Sequence, residues 1–537
     1  MKQLFVFLLS FLCYSWCIAQ SVGPNSTTPP QTVVDPIPFA QGITANDLKA
    51  HLSIIASDAF EGRETGTEGN DKAADYIADQ FKAMGIAPGG EDDTYFQPIG
   101  FSWEKWKEIG LSVHGERYRH LWDYISYPTQ NSDLPKLDSK RILFLGYGID
   151  DPKYSDYKGV DVKDKILMIY DGEPVDKKGV SYLTGDETLS DWSNKDATKK
   201  LALAKAKGAK AIFIIDGFLK DRIQQDRRKL IGRSYQLGVP DKHGKALTNS
   251  VYISPTLAKA IMGKQKRKVI KARKIIQKKG KARNRSLKTD IQLQQVLDSR
   301  SIVGRNVLGF QEGSDPKLKE EILVVTAHYD HLGKKGDGIY NGADDNGSGT
   351  STVLEIADAF AQAAKKGQGA KRSVLFMLVT GEEKGLLGSK FYTERPLYPL
   401  ENTIANINID MVGRVDEKHQ ANPNYIYVIG SNRLSTELHD INEAANTQFT
   451  QLELDYTYNA EDDPNRFYYR SDHYNFAERG IPAVFYFNGT HIDYHRTSDT
   501  VEKIQFDKMA KIGQLIFHTA WELTNRAERI KVDVPQK

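Results

Sequence analysis

Cysteine is almost missing from this chain. Of 537 residues only Cys13 and Cys17 carry a thiol, and both lie in the N-terminal stretch. That stretch has Lys2, an almost wholly apolar run from Phe5 to Cys17 and a small residue at Ala19. This is the layout of an export signal cleaved just before Gln20. Loss of residues 1–19 leaves a secreted or periplasmic chain with no thiol. Disulfides, zinc–thiolate sites and cysteine nucleophiles are then excluded, and any metal has to be held by His, Asp and Glu. An excess of one charge is missing too. Lys and Arg number 73 against 70 Asp and Glu, a net charge of +3, so no global field points to nucleic acid. No second apolar run is long enough to span a bilayer, so no membrane insertion is expected. Stability has to come from a large core, which a chain of this length can bury.

Residues 20–40 are rich in Pro, Ser and Thr and read as a flexible leader. A helix capped by Thr44 follows, with Leu48, Leu52 and Ile55 on one face. The glycine-rich loop E-G-R-E-T-G-T-E-G, residues 61–69, leads to a second helix from about Asn70. Ala74, Ile77, Phe81 and Met84 form its buried stripe, and Gly85 ends it. From about Phe101 the texture changes. Strand-like runs at 141–146 and 165–170, an Ala- and Lys-rich helix at 197–207 and a strand at 211–215 suggest a small α/β unit of its own. We read 101–290 as an inserted domain between 41–100 and 291–537. It ends in a basic run, Lys264 to Arg285. That run reads as a solvated helix with a narrow stripe of Met262, Val269 and Ile276, in preference to an anionic-ligand patch.

The stretch that organises the rest is Glu321 to Gly349. It reads E-I-L-V-V-T-A-H-Y-D-H-L, then, after a short loop, N-G-A-D-D-N-G-S-G. Further on come T-G-E-E-K-G-L-L-G-S, N-I-N-I-D-M-V-G-R and Y-H-R-T-S-D-T, each with an apolar run before it. Long apolar strands alternating with helices predict an α/β fold with a mixed, mainly parallel sheet covered by helices. The polar clusters follow the carboxyl ends of these strands, the edge at which such sheets bind ligands.

A two-metal site accounts for the set. Asp344 bridges the ions, His328 and Asp410 complete one, and Glu383 and His495 complete the other. Each ion keeps an open position for water. Adjacent side chains diverge, so Glu382 beside ligand Glu383 is free to act as general base. Asp330, two residues after His328, is placed to accept its free imidazole N–H. Tyr494 is a candidate donor to the oxyanion, with Tyr468 as its rival. His331, His473 and His491 read as structural histidines.

The five motifs, in this order, resemble the M28 family of zinc peptidases, its aminopeptidase group. The N-terminal I-A-S-D-A-F-E-G-R-E-T-G-T-E-G resembles it as well. The resemblance implies two zinc ions (or manganese or cobalt) held by His328, Asp344, Glu383, Asp410 and His495, with Glu382 as base. It implies peptide substrates cleaved at the N-terminal bond. The segment 101–290 is similar to the protease-associated domain inserted in this family. The same fold also serves a single-zinc glutaminyl cyclase, carboxypeptidases, dipeptidases and receptor-like relatives that have lost ligands. The complete ligand set favours the aminopeptidase.

Overall fold

The structure is a computed structural model that describes residues 34–238 and 246–536. The export signal and most of the expected leader lie outside the described residues. The part of the leader that is described packs against the core. Ile37–Ala40 form a helical turn, and Phe39 is buried with its ring stacked 6.0 Å from Trp521. An aromatic side chain with an apolar surface in reach overrides the local Pro-rich composition.

Helix α1 (Ala45–Ile55) is capped by Thr44, whose hydroxyl accepts the Asp47 N–H at 3.3 Å. Leu48, Leu52 and Ile55 are fully buried. Helix α2 (Glu68–Met84) starts two residues earlier than its apolar stripe suggests, because Thr67 caps it. It stops at Gly85, whose φ of 78° only glycine adopts cheaply.

Next come strand β1 (Phe96–Val113), β2 (Leu134–Phe144), β3 (Ile166–Tyr170), helix α3 (Thr198–Ala206), β4 (Ala211–Ile215) and β5 (Asn249–Ile253). Helix α4 (Lys266–Lys279) buries Val269, Ala272 and Ile276 and turns its lysines and arginines to solvent, as the amphipathic reading expects. Strand β6 runs unbroken for 27 residues, Arg285–Gln311. The C-terminal half adds β7 (Ile322–His328), α5 (Gly349–Lys365), β8 (Ser373–Val379), β9 (Thr403–Ile409), β10 (Tyr425–Ile429), β11 (Ala483–Phe487) and α6 (Phe506–Asn525).

These strands form one mixed sheet in the order β10-β11-β9-β7-β8-β6-β2-β3-β4-β5. β11, β9, β7 and β8 are mutually parallel and buried on both faces, with the polar Thr326, Asn406 and Asn408 set among their apolar side chains. β10 and β6 flank them antiparallel. β6 then pairs along its length with β1 and passes into the second parallel group, β2 to β5. Residues 100–101 and 290–291, the expected edges of the insert, therefore fall inside two long paired strands, not in loops. Distinct apolar clusters pack on either side of this ribbon. No helix of the described residues is long and apolar enough to cross a membrane.

The larger core centres on Phe360 of α5. Its ring lies 6.0 Å from Phe376 on β8, and 5.1 and 5.6 Å from Phe517 and Trp521 on α6. Phe360→Ala should cost about 3–5 kcal/mol, the usual sum of lost transfer energy and residual cavity. We expect a melting temperature lower by several degrees, measured by calorimetry. An unchanged melting temperature would mean that this layer does not limit stability.

Candidate metal centre and active site

Parallel strands that end level bring sequence-distant residues together. His328 at the end of β7 pairs in register with Val379 at the end of β8, and Ile409 of β9 with Tyr486 of β11. The segments leaving those ends carry Glu382 and Glu383, Asp410, and the loop to His495. The turn 343–348 lies beside them, fixed by Asn346. Its amide donates to the Ile409 carbonyl at 2.9 Å, and its oxygen accepts the N–H groups of Gly349 and Met411.

The side chains converge on one cleft. His328 Nε2 is 3.3 Å from Asp410 Oδ1, 3.5 Å from Asp345 Oδ1 and 3.9 Å from Glu382 Oε2. On the other side His495 Nε2 is 3.1 Å from Asp345 Oδ2 and 3.4 Å from Glu383 Oε1. His331 Nδ1 is 2.9 Å from Glu383 Oε1 and 3.7 Å from Asp345 Oδ2. Two groups of donors, His328–Glu382–Asp410 and His331–Asp345–Glu383, each gather their atoms within 4.8 Å. Asp410 Oδ1, Glu383 Oε1 and both ring nitrogens of His331 are buried with no hydrogen-bond partner. Buried oxygens and nitrogens that crowd together without bonding one another fit a cation better than they fit each other.

Three expectations change. Asp344 does not point into the cleft. Its Oδ1 accepts the Gly413 N–H at 2.7 Å, and its Oδ2 faces His491 Nε2 at 3.2 Å. Its neighbour Asp345 takes the central place, one oxygen toward each histidine. Neighbouring side chains diverge, and the string D-D does not say which carboxylate faces in. His331 and His491 are thereby not bystanders, since one joins the cleft and the other holds Asp344. Asp330 orients His328 through its backbone instead of its carboxylate. His328 Nδ1 lies 3.0 Å from the Asp330 carbonyl and 3.8 Å from the carboxylate. The carboxylate accepts from the Thr65 hydroxyl at 2.8 Å and the Glu382 N–H at 3.2 Å.

His328, Glu383, Asp410 and His495 stand in the cleft as the sequence suggests, and so does Glu382. Tyr494 lines it, its ring 3.9 Å from that of His495. Tyr468 lies outside it, packed against Arg433 and His473. His473 is buried at 4.8 Å on Phe485, a core histidine whose pKa burial pushes down to about 3.

Burial drives Glu382 well above the ordinary carboxylate range; His328 opposes this, while Glu383 and Asp410 add to it. Burial acts on Glu383 too, but the imidazoles of His331 and His495 beside it outweigh it and hold the group well below that range. His495 loses to burial but gains more from Asp345 and Glu383, and is raised to about 9. Two adjacent glutamates are thus driven apart, one toward the proton-holding form and one toward the anion.

The sequence reading missed a set of supporting residues. Ser471 donates to Asp410 Oδ2 at 2.8 Å, and Ser389 to Asp472 at 2.5 Å. Asp499 accepts the N–H groups of Asp344 and Asp345 at 3.0–3.1 Å. Arg63 of the glycine-rich loop is fully buried and donates to the carbonyls of Ile55, Tyr329, Asn341 and Gly342 at 2.7–2.9 Å. An arginine set among the glycines of a short loop between two helices was the available signal. Arg63→Met would leave those buried carbonyls unsatisfied, at a cost on the order of 3 kcal/mol or more. Amide exchange in 329–342 should accelerate, read by hydrogen–deuterium mass spectrometry. Unchanged protection there would show that the loop is held by something else.

Residues 306–520 match Peptidase family M28. The chain is 33% identical over 215 residues to a "Probable leucine aminopeptidase" of Trichophyton verrucosum, 39% of this chain and 56% of that protein. It is 28% identical over 234 residues to "Aminopeptidase YwaD" of Bacillus subtilis, 42% of this chain and 46% of that protein. The chain spans about half the length of these curated relatives. Among solved structures, the aminopeptidase from Aneurinibacillus sp. strain AM-1 shares the fold. Its TM-score is 0.53 at 19% identity, over 94% of this chain and 100% of that one.

Proposed function

We propose, from a chain whose residues 306–520 match peptidase family M28, that the protein is a dizinc aminopeptidase removing the N-terminal residue of peptides. One observation carries the two-ion reading. The two oxygens of Asp345 face different donor groups, Oδ1 toward His328 and Oδ2 toward His495. His328 and Asp410 would hold one ion with Asp345, and Glu383 and His495 the other, with His331 beside Glu383. The choice of N-terminal cleavage is supported by the names of the relatives. The signal supports export, and the sequence texture of 101–290 supports a protease-associated domain.

When bound, zinc supplies Lewis-acid chemistry toward water and the scissile carbonyl. The chain's own residues do the rest. Glu382 is the carboxylate farthest from His328 in its donor group, so it is free to take a proton from water and return it to the leaving amine. The Asp330 carboxylate holds the Glu382 backbone N–H, which fixes where that side chain starts. Tyr494 keeps its proton, since burial and then Asp345 and Glu383 raise its pKa, and its hydroxyl can donate to a developing oxyanion. Arg63 holds the loop that carries His331 in place.

Asp345→Asn should lose both ions, while Asp344→Asn should keep most of the metal. Elemental analysis of the purified variants reads this directly, and the reverse pattern would return the bridge to Asp344. Glu382→Gln should keep both ions and lose about 10² to 10⁴ in kcat on aminoacyl p-nitroanilides. Glu383→Gln should lose metal and activity together. A fully active wild type with a single ion would reject the two-ion reading.

A further inference from the structure

We infer that Arg470 binds a carboxylate of the peptide substrate, so that the cleft selects peptides carrying an acid group close to the scissile bond. The inference rests on the aminopeptidase reading above.

The cleft that holds His328, Asp345, Glu382, Asp410 and His495 has an apolar wall of Met411, Phe467, Phe485 and Phe487. Arg470 interrupts that wall. Apart from imidazoles it is the one cationic side chain among the lining residues. It is exposed, and among the described residues it makes no ion pair. Its guanidinium lies 4.7 Å from the centre of the Phe467 ring, a cation–π contact that uses none of its N–H donors. The other cations around the site are spent. Arg414 is 2.9 Å from Asp493, Lys384 is 2.9 Å from Glu64, and Arg63 donates to four carbonyls.

Charge makes the free guanidinium informative. Arg470 adds a positive charge with which no carboxylate of the described residues pairs directly. An aminopeptidase substrate brings a free α-amino group, so a bare cation in the cleft opposes binding unless the substrate also brings an anion. A planar guanidinium is the side chain that matches a carboxylate with two parallel hydrogen bonds. Two carboxylates are candidates, the side chain of an N-terminal Asp or Glu and the C-terminal group of a dipeptide.

Matched substrates separate these sources. kcat/KM is measured on zinc-loaded enzyme for Glu- against Gln-p-nitroanilide, and for Leu-Gly against Leu-Gly-amide. We expect at least one acid member to be preferred by about 10- to 100-fold, the usual worth of a charge-assisted pair. Preference in the first pair identifies the side chain, and in the second the C-terminus. Arg470→Met should abolish that preference, mainly through KM, and Arg470→Lys should keep part of it. Metal content and melting temperature of the variants are checked against wild type. Equal hydrolysis of both members of each pair by the wild type overturns the inference and leaves the aminopeptidase reading standing, and so does a preference that survives Arg470→Met. Failure to cleave any of the four overturns that reading and this inference with it.

Discussion

Burying many carboxylates at one edge of a sheet is the constraint on which the rest of this structure turns. Asp330, Asp344, Asp345, Asp410, Asp472 and Asp499 are buried together, with most of Glu382 and Glu383. Isolated, such charges would be far too costly to keep out of water. The structure divides them into two rings. The outer ring is held mainly by the protein's own donors, with Asp344 Oδ2 and Asp472 Oδ2 the oxygens that accept no hydrogen bond. Asp330 accepts from Thr65 and a backbone N–H, Asp344 from Gly413, Asp472 from Ser389, and Asp499 from the N–H groups of Asp344 and Asp345. The inner ring, Asp345, Glu382, Glu383 and Asp410, is turned on His328, His331 and His495, and keeps oxygens that no protein donor satisfies. The outer hydrogen bonds aim the inner oxygens, and the inner oxygens create the demand for cations.

Topology supplies the place for this arrangement. Four parallel strands deliver their carboxyl ends to one line; His328, Glu382, Glu383 and Asp410 sit within a few residues of such an end, and Asp345 and His495 come from the segments that follow. Antiparallel strands would have split the donors between both edges. β1 and β6 serve a different purpose. Their long antiparallel pairing carries the sheet from the first apolar cluster to the second, so that two cores share one continuous backbone framework.

The sequence disclosed what depends on periodicity and order. Helix α2, its glycine stop, the apolar strands and the clusters at their ends were all legible, because burial imposes a pattern on neighbouring residues. Three things were not. The choice between Asp344 and Asp345 depends on side-chain direction in an irregular turn, where no repeat constrains it. His331 follows a strand end with no apolar frame around it, and only the tertiary fold brings it to Glu383. Arg63 bonds to carbonyls up to 279 residues away, and carbonyls leave no trace in the choice of residue. Strand β6 is a different omission. Leu287, Thr289, Ile291 and Leu293 alternate inward, a clear two-residue period hidden behind the basic run that precedes it.

Backbone conformation shows where the order of assembly lies. Leu386, Met411 and His495 are non-glycine residues close to the cleft with φ of 59°, 54° and 58°. Left-handed backbone costs about 1–2 kcal/mol for each such residue. Interactions internal to the protein offset it. The Met411 N–H is held by Asn346 at 3.1 Å, and its side chain is buried among Tyr425, Phe485 and Phe487. His495 stacks on Tyr494, whose own N–H bonds the His491 carbonyl at 3.0 Å. None of these contacts needs an ion. The strain that aims Met411 and His495 is thus offset by packing and hydrogen bonding, which belong to folding. Cation binding then relieves a repulsion among groups already in position, and its free energy goes into charge neutralisation instead of rebuilding the turn. That division is what a site needs if its donors are to hold one geometry while a ligand enters and leaves.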